Sequence, residues 1–343
     1  MTIKRKKNKM TIKKKLFGTV AAGIAVTVAL TGCAGGSTTA DSGQEIMDVR
    51  FGYIPDFNGA SLLAIAEDQG LFDKYNLDVT TSTFTNGPLQ IQALGAGDLD
   101  FGNIGPGALW LPASGESRVV SVAILGGGDR VIAQPGINSI RDLAGKRIGV
   151  PEGTSGDMIL TLALKAEGMT KDDVEIFPMD PGTLVSAFSA GQIDAAGIWY
   201  PHVTTIKQQV PNLTELVKNS DFADIVSFPC AIIARNVVVD ENPEMVSRLL
   251  GALKEAMDYR KSNPEKTVEL VAAMLDLPLD VVNADAENYT ILDSGELEVL
   301  TEDGSVARWF SSLNEYFEGA GKVSNPLDPS EYYTADLFVS AGE

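Results

Sequence analysis

Hydrophobic and polar positions along the chain predict strands and helices in alternation. Short apolar runs at Val49–Ile54 and Leu77–Phe84 have the length and composition of buried strands. Between them, Ser61–Tyr75 has the spacing of an amphipathic helix that is interrupted near Gly70, and a later helix is expected to end at Gly97. Strands alternating with helices indicate an α/β fold, with mostly parallel sheets covered by helices on both faces.

One helix-glycine-strand unit occurs twice in the sequence. Leu89–Ile104 and Thr183–Ile198 align without gaps, and the alignment pairs Gly97 with Gly191. Either a duplication or convergence on a glycine-capped junction accounts for this likeness. In both cases, two similar α/β units predict two lobes whose strand ends face one cleft.

The first residues predict an export signal and a lipid anchor. The opening fifteen residues hold eight basic side chains and no acid, and an apolar run and the sequence LTGC follow. We interpret residues 1–32 as a lipoprotein signal peptide, Cys33 as the lipidated residue, and 33–46 as a flexible tether. The start codon stays open between Met1 and Met10.

Charge and cysteine content narrow the class of protein. Without the signal peptide the chain keeps 46 acidic residues and loses eight of its 27 basic ones, so its net charge is near −27. Such a charge disfavours nucleic acid as a partner. With Cys33 lipidated, Cys230 has no partner for a disulfide, so the core alone must stabilise the fold.

Candidate chemistry is concentrated in the segment PEGTSG. Thr154, Ser155 and Gly156 stand where a strand is expected to lead into a helix, so free N–H groups and hydroxyls favour an anion there. Ordinary helix capping by Ser155 is the alternative. The chain has a single histidine, His202, and no nucleotide-binding or hydrolase motif. We expect no cofactor and no metal.

Several segments together resemble a known family. They are FGYIPDFNGASLLAIAEDQGLFDKYNLDV, ALGAGDLDFGNIG, IRDLAGKRIGVPEGTSG, FSAGQIDAAGIWYPHV and ENPEMVSRLLGALKEAMDY. In this order they are similar to solute-binding lipoproteins of ABC importers, in the taurine-, alkanesulfonate- and nitrate-binding (NMT1/THI5-like) family. The resemblance covers essentially all of the chain from Val49 onward.

This resemblance implies a two-lobed periplasmic-binding-protein fold of type II, the venus-flytrap fold. Residues 47–130 and 232–343 would form lobe I, and 131–231 would form lobe II. The protein would bind a small solute outside the cytoplasmic membrane as a lipid-anchored monomer and deliver it, without catalysis, to a permease and through it to an ATPase. By matching position, the ligand would contact Phe57, Asn58, Asn103, Gly105, Asp129, Thr154, Ser155, Gly156, Trp199, Tyr200 and His202.

Departures from the family pattern leave the ligand open. Gly105-Pro106-Gly107 replaces serines that sulfonate binders often have, and Cys230 aligns where a taurine binder would supply a carboxylate. Taurine, another sulfonate, nitrate and a pyrimidine-type vitamin precursor are the alternatives. For function, the alternatives to transport are a lyase or decarboxylase of similar architecture and a sensory or adhesive surface lipoprotein.

Overall fold

A computed structural model describes residues 45–342. The predicted signal peptide, Cys33 and most of the predicted tether lie outside these residues. Within them, no helix combines the length and the apolar character that crossing a membrane requires.

In the described residues 45–342, ten strands form two five-stranded sheets. The first sheet has the strand order β2-β1-β3-β10-β4 and the second has the order β7-β6-β8-β5-β9. The strands are β1 (Met47–Tyr53), β2 (Leu77–Thr83), β3 (Phe101–Ile104), β4 (Arg118–Leu125), β5 (Asp129–Ala133), β6 (Arg147–Val150), β7 (Glu175–Pro178), β8 (Ala195–Trp199), β9 (Thr214–Lys218) and β10 (Pro229–Ala234).

The part of the chain that the structure describes also contains fifteen α-helices, which pack around the sheets together with short 3-10 turns. They are α1 (Phe57–Asp68), α2 (Leu71–Lys74), α3 (Gly87–Ala96), α4 (Trp110–Ala113), α5 (Ser155–Ala166), α6 (Pro181–Ser189), α7 (His202–Gln209), α8 (Asn236–Glu241), α9 (Pro243–Ser262), α10 (Pro264–Leu275), α11 (Leu279–Ala286), α12 (Ser294–Glu302), α13 (Ser305–Gly319), α14 (Pro329–Tyr332) and α15 (Ala335–Ser340). We call the first sheet with α1–α4 and α8–α15 the first lobe, and the second sheet with α5–α7 the second lobe.

The predicted two-lobed α/β fold is confirmed, and the two sheets share one plan. In the first, β1 pairs in parallel with β2 and β3, while β10 runs antiparallel to β3 and β4. In the second, β6 pairs in parallel with β7 and β8, while β5 runs antiparallel to β8 and β9. Each sheet therefore contains one strand that the chain adds after crossing from the other lobe.

The repeated unit of the sequence folds in the same way in both lobes. Asp100 binds Arg50 of β1 through side-chain contacts of 2.7 and 2.9 Å. Asp194 binds Arg147 of β6 in the same manner, with two contacts of 3.0 Å. In each case the arginine also donates to a carbonyl of the preceding turn, Gly97 or Gly191. The likeness between the units therefore extends from the sequence to a specific arginine–aspartate clamp.

Two crossings join the lobes, at residues 126–128 and 219–228. Strand β5 starts at Asp129 in the second sheet and β10 starts at Pro229 in the first, so the sheets divide two or three residues earlier than the lobe boundaries predicted after 130 and 231. Hydrophobic patterning shows where a strand runs but not which sheet it joins. Arg130 fixes the first crossing, because its guanidinium donates to the Gly127 carbonyl and to Asn288, each within 2.7 Å.

The lobes also touch across the cleft along helix α5. Lys322 lies 3.1 Å from Asp157 in the first turn of α5. The Tyr316 hydroxyl of α13 donates to the Met158 carbonyl at 3.4 Å, and the Trp110 indole donates to the Gly153 carbonyl at 3.3 Å. Together these contacts hold the start of α5 against the first lobe, so the described conformation is closed.

Candidate functional site

A cavity lies between the lobes, where strands of both sheets end. The cavity is small, about 30 Å³, and residues of both lobes enclose it, so a solute enters only when the cleft opens. The lining residues are Ile54, Asp56, Asn58, Gly87, Gly105, Pro106, Ala108, Gly126, Gly128, Asp129, Thr154, Ser155, Trp199, Cys230 and Tyr289.

The start of helix α5 forms one wall of the cavity. Thr154 is the residue before the helix, but its hydroxyl donates to the Pro151 carbonyl at 2.6 Å and caps no helical N–H. Ser155 is the first helical residue, so the alternative of simple capping by Ser155 is wrong in this geometry. Gly156 lies behind the wall, because a side chain there would meet the Gly197 carbonyl at 2.5 Å. The helix start therefore presents uncapped N–H groups beside two cavity-lining residues.

The acidic side chain of that helix start is satisfied from both lobes. Asp157 is buried and contacts Lys171 of its own lobe and Lys322 of the first lobe. Burial alone would raise the pKa of Asp157, but the two lysines hold it below its ordinary value. The carboxylate is therefore ionised, and it links the cavity wall to the first lobe through a charge pair.

The opposite wall comes from the loop after β3. Gly105 and Pro106 line the cavity, and Gly107 packs directly against the Thr154–Ser155 peptide. A methyl group on Gly107 would lie 2.2 Å from the Ser155 nitrogen, whereas one on Gly105 would lie 3.6 Å from the Ser155 hydroxyl. Glycine at 107 thus allows the two lobes to meet. Where sulfonate binders often have a serine, a residue without a side chain therefore has a structural role of its own here.

Trp199 and Asp129 enter the cavity side by side. They are directly opposed on the antiparallel strands β8 and β5, so their side chains lie on the same face of the sheet. Behind Trp199, the His202 ring packs edge-on at 5.7 Å between centroids. Burial lowers the pKa of His202 to about 4, so this imidazole is neutral near pH 7. His202 does not line the cavity, and its place is behind the tryptophan.

Tyr200 is also turned away from the cavity. Its hydroxyl accepts a hydrogen bond from Lys207 at 2.8 Å, and the Arg130 guanidinium carbon lies over its ring, 5.2 Å from the ring centroid. The peptide between Tyr200 and Pro201 is cis, and α7 begins at His202 rather than at Pro201. Tyr200 therefore contributes to the packing of the second lobe beside the first crossing.

In the first lobe, Phe57, Asn58 and Asn103 lie at different depths from the cavity. Asn58 lines the cavity, and its amide donates to the Asn103 side chain at 2.6 Å. Asn103 lies one layer deeper, where Gln90 binds its backbone N–H and carbonyl at 3.1 and 2.7 Å. Phe57 stacks on Tyr289 at 5.9 Å between ring centroids. Phe57 and Asn103 thus support lining residues, since they do not line the cavity themselves.

Three buried aspartates surround the cavity. Asp56 and Asp129 line it with 4% of each residue exposed, and Asp285, with 1% exposed, accepts from the Phe57 N–H at 2.7 Å. Burial raises the pKa of all three above the ordinary value, and that of Asp285 rises to about 7. The Asp56 pKa is raised further by the charges of Asp285 and Asp129. Asp56 therefore lies close enough to the other two carboxyl groups for their ionisation to oppose its own.

Cys230 and Tyr289 complete the lining on the first lobe. Burial, and to a smaller extent the charges of the nearby aspartates, raises the pKa of the Cys230 thiol well above its ordinary value. The thiol is therefore protonated. Burial and the charges of Asp285 and Asp56 do the same for the Tyr289 hydroxyl. Both groups are neutral near pH 7, and both are able to donate or accept a hydrogen bond.

Sequence reasoning found part of this lining and missed the rest. Of the predicted contact residues, the structure places Asn58, Gly105, Asp129, Thr154, Ser155 and Trp199 at the cavity and Phe57, Asn103, Gly156, Tyr200 and His202 outside its lining. Asp56 was missed although it directly precedes Phe57, because an aspartate before a helix is first interpreted as a cap. It is indeed a cap, since it accepts from the Gly59 N–H at 2.7 Å.

Comparisons with known proteins agree with this architecture. Residues 58–267 match the family model described as NMT1/THI5 like. A Brucella abortus (strain 2308) protein, named only as a binding protein, is 54% identical over 292 residues, which cover 85% of this chain and 92% of the relative. The taurine-binding periplasmic protein of Escherichia coli (strain K12) is 23% identical over 265 residues, covering 75% and 82%.

A solved structure extends the agreement to the fold. The ligand-binding component of an ABC-type import system from Staphylococcus aureus, solved with zinc bound, superimposes with a TM-score of 0.72. The superposition covers 86% of this chain and 99% of that chain, at 15% sequence identity.

Proposed function

Because the chain belongs to the NMT1/THI5-like family, we propose that it is the extracytoplasmic receptor of an ABC importer, which captures a small organic solute in the cavity between its lobes. The solute would then pass to a membrane permease driven by an ATPase. Relatives of the chain are solute-binding proteins, and the names of some of them give taurine or aliphatic sulfonates as ligands.

The observation that supports this function best is the position of the cavity. Both lobes line it, and it lies at the carboxyl ends of strands, where open α/β sheets bind ligands. Three helices, α1, α3 and α5, begin at or beside it, at Phe57, Gly87 and Ser155. A solute there would be enclosed by both lobes when they close, as in the hinged closure with which periplasmic binding proteins hold their ligands.

Within the cavity, we assign the polar or anionic end of the solute to the start of α5. Free N–H groups and the helix dipole meet the Ser155 hydroxyl at this point. Trp199 offers a flat apolar face of large area for the body of the solute. Tyr200 and His202 lie outside this wall, where Tyr200 binds Lys207 and the His202 ring packs edge-on against Trp199.

Capture without chemical change fits the titratable groups at the site better than a lyase or decarboxylase does. The one histidine is neutral and faces Trp199, and the Cys230 thiol is protonated, so neither is placed as a base or as a nucleophile. The competing functions are separable by experiment. A receptor returns the solute unaltered after release, an enzyme of the same fold returns a product, and a sensory or adhesive lipoprotein works without the permease.

Lipid anchoring at Cys33 belongs to the same proposal. An anchored, monomeric receptor on the outer face of the cytoplasmic membrane would stay close to its permease. The LTGC sequence after the apolar run supports this location.

The test is calorimetry on wild type and two cavity variants, with the solute that mass spectrometry identifies in the purified protein. Ser155→Ala removes one hydroxyl and is expected to cost about 1–2 kcal/mol of binding. Trp199→Ala removes a large apolar face and should cost about 3 kcal/mol or more. Ser186→Ala, on the exposed face of α6, is the matched control and should bind as wild type does. Unchanged affinity in both cavity variants, with the fold intact, would place the site elsewhere.

A further inference from the structure

The three aspartates around the cavity have more acceptor capacity than the protein uses. Asp129 receives one hydrogen bond from Asn219, at 2.8 Å to its Oδ2 atom. The Ser155 hydroxyl is close enough to lower the pKa of Asp129, yet Asp129 Oδ1 has no hydrogen-bond partner among the described residues. An ionised carboxylate accepts hydrogen bonds on both oxygens, and a buried one without partners costs free energy. Asp129 therefore has an unfilled place for a donor beside the cavity.

Within residues 45–342, no cationic side chain fills that place. The guanidinium of nearby Arg130 donates to Glu215, to main-chain carbonyls and to Asn288. Arg260, which is fully buried in the first lobe, donates to the Ser61 hydroxyl and to the Ala123 carbonyl. In the described part of the chain, no lysine or arginine pairs with Asp56, Asp129 or Asp285.

The geometry of the aspartates suits an organic donor. Asp56 and Asp129 come from different lobes, so they meet only when the cleft closes. Among residues 45–342, no group of three or more His, Cys, Asp or Glu side chains is arranged to hold a metal ion. A donor bound between the two carboxylates would join the lobes by two charge-assisted hydrogen bonds, which are roughly twice as strong as neutral ones.

We propose that the captured solute carries a protonated amine, or an N–H-rich cationic group of similar size, which donates to Asp129 and Asp56 while its other end meets the start of α5. This inference rests on the solute-receptor function proposed above and specifies its ligand. Asp285, which accepts from the N–H of Phe57 next to Asp56, adds a third carboxyl group on this side of the cavity. A simple anion such as nitrate would meet these carboxylates without a compensating donor.

The chemistry is testable with pairs of probes that differ only at the nitrogen. Taurine and 2-hydroxyethanesulfonate form one pair, and a pyrimidinylmethylamine with the corresponding pyrimidinylmethanol forms the other. Titration calorimetry on wild type should show at least tenfold tighter binding for the amine member of the pair that binds. Nitrate is a further probe and should not bind measurably.

Variants assign the preference to specific atoms. Asp129→Asn keeps the contact with Asn219 and removes the charge, so it should lower the amine's affinity at least tenfold and reduce the preference within the pair. Asp56→Asn keeps a good helix cap and should have the same direction of effect. Glu175→Gln, on the exposed edge of the same sheet, is the charge-matched control and should change affinity less than twofold. Without ligand, Asp129→Asn should melt at or above the temperature of wild type.

The outcomes separate this inference from the receptor function. If the hydroxyl probes or nitrate bind as tightly as the amine probes, and Trp199→Ala abolishes that binding, the proposal of an amine-bearing solute is wrong. Solute capture in this cavity would then still be supported. If neither amine binds at millimolar concentration, the proposed amine is also overturned. Failure of every probe, with no solute released from denatured wild-type protein, would count against the receptor function itself.

Discussion

Gly107→Ala tests closure at the point where the two lobes meet. The added methyl carbon would lie 2.2 Å from the Ser155 nitrogen and the Thr154 carbonyl carbon, and 2.3 Å from the Thr154 oxygen. All three are backbone atoms, so no side-chain rotation relieves the overlap. Because residue 107 and the Thr154–Ser155 peptide belong to different lobes, the lobes can move apart while each lobe stays folded.

The size of the effect follows from the cost of overpacking. Inserting a methyl group into a close-packed contact typically costs about 1–3 kcal/mol. If this cost falls on the closed state alone, the apparent affinity for the solute drops about 5- to 150-fold. Calorimetry measures that loss, and small-angle scattering should show a larger radius of gyration for the variant with solute than for wild type with solute.

Gly95→Ala, in helix α3 of the same lobe, is the matched control for this variant. Its methyl carbon would meet no heavy atom within 4 Å, and Gly95 does not line the cavity. We expect affinity within about threefold of wild type, since no large overlap is added. A Gly107→Ala variant that binds and scatters as wild type does would show that this contact does not control closure. A loss of thermal stability without any change in scattering would also contradict the prediction, because the strain would then lie within a lobe.

Three further predictions concern contacts outside the cavity lining. Lys322→Met removes the first-lobe partner of Asp157 and should weaken solute binding about three- to tenfold. Lys266→Met, which breaks an exposed pair with Glu269, is the control and should leave affinity unchanged. Equal affinities for the two variants would show that the Lys322–Asp157 pair does not favour closure. Without ligand, Asp285→Asn should become more stable relative to wild type as pH rises from about 4 to 8. The reason is that the unfolded wild-type chain loses the Asp285 proton more readily than the folded one, in which the pKa is about 7. Denaturant midpoints of the two proteins that stay parallel across this range would contradict this prediction. Cys33→Ala should release the protein from membranes in cell fractionation and abolish labelling with a fatty-acid probe, and retention of the label would identify another anchor.

The sequence predicted the elements of the fold well because local signals determine them. Gly97 and Gly191 end their turns with positive φ, as a glycine after a helix predicts, and α5 begins at Ser155 as expected. Apolar periodicity located the strands within a few residues. Which sheet each crossing strand joins is a matter of pairing between distant residues, and this determined the difference at Asp129 and Pro229.

The cavity was harder to predict because much of it depends on long-range contacts. Asp285 reaches the Phe57 N–H across 228 positions of sequence, and no local pattern signals that contact. Tyr200 was assigned to the ligand by its matching position in the family pattern, but its hydroxyl binds Lys207 on the side away from the lining residue Trp199. The acidic character of the site emerges only when Asp56, Asp129 and Asp285 are brought together, since each alone resembles an ordinary surface or capping acid.

The most direct test of solute capture between the lobes is a crystal structure of the protein purified with its own solute. We expect electron density for a small organic molecule between Asp129, Ser155 and Trp199, with both lobes in contact with it. Density for the solute at any other surface, or a solute held by one lobe while the cleft stays open, would contradict the account.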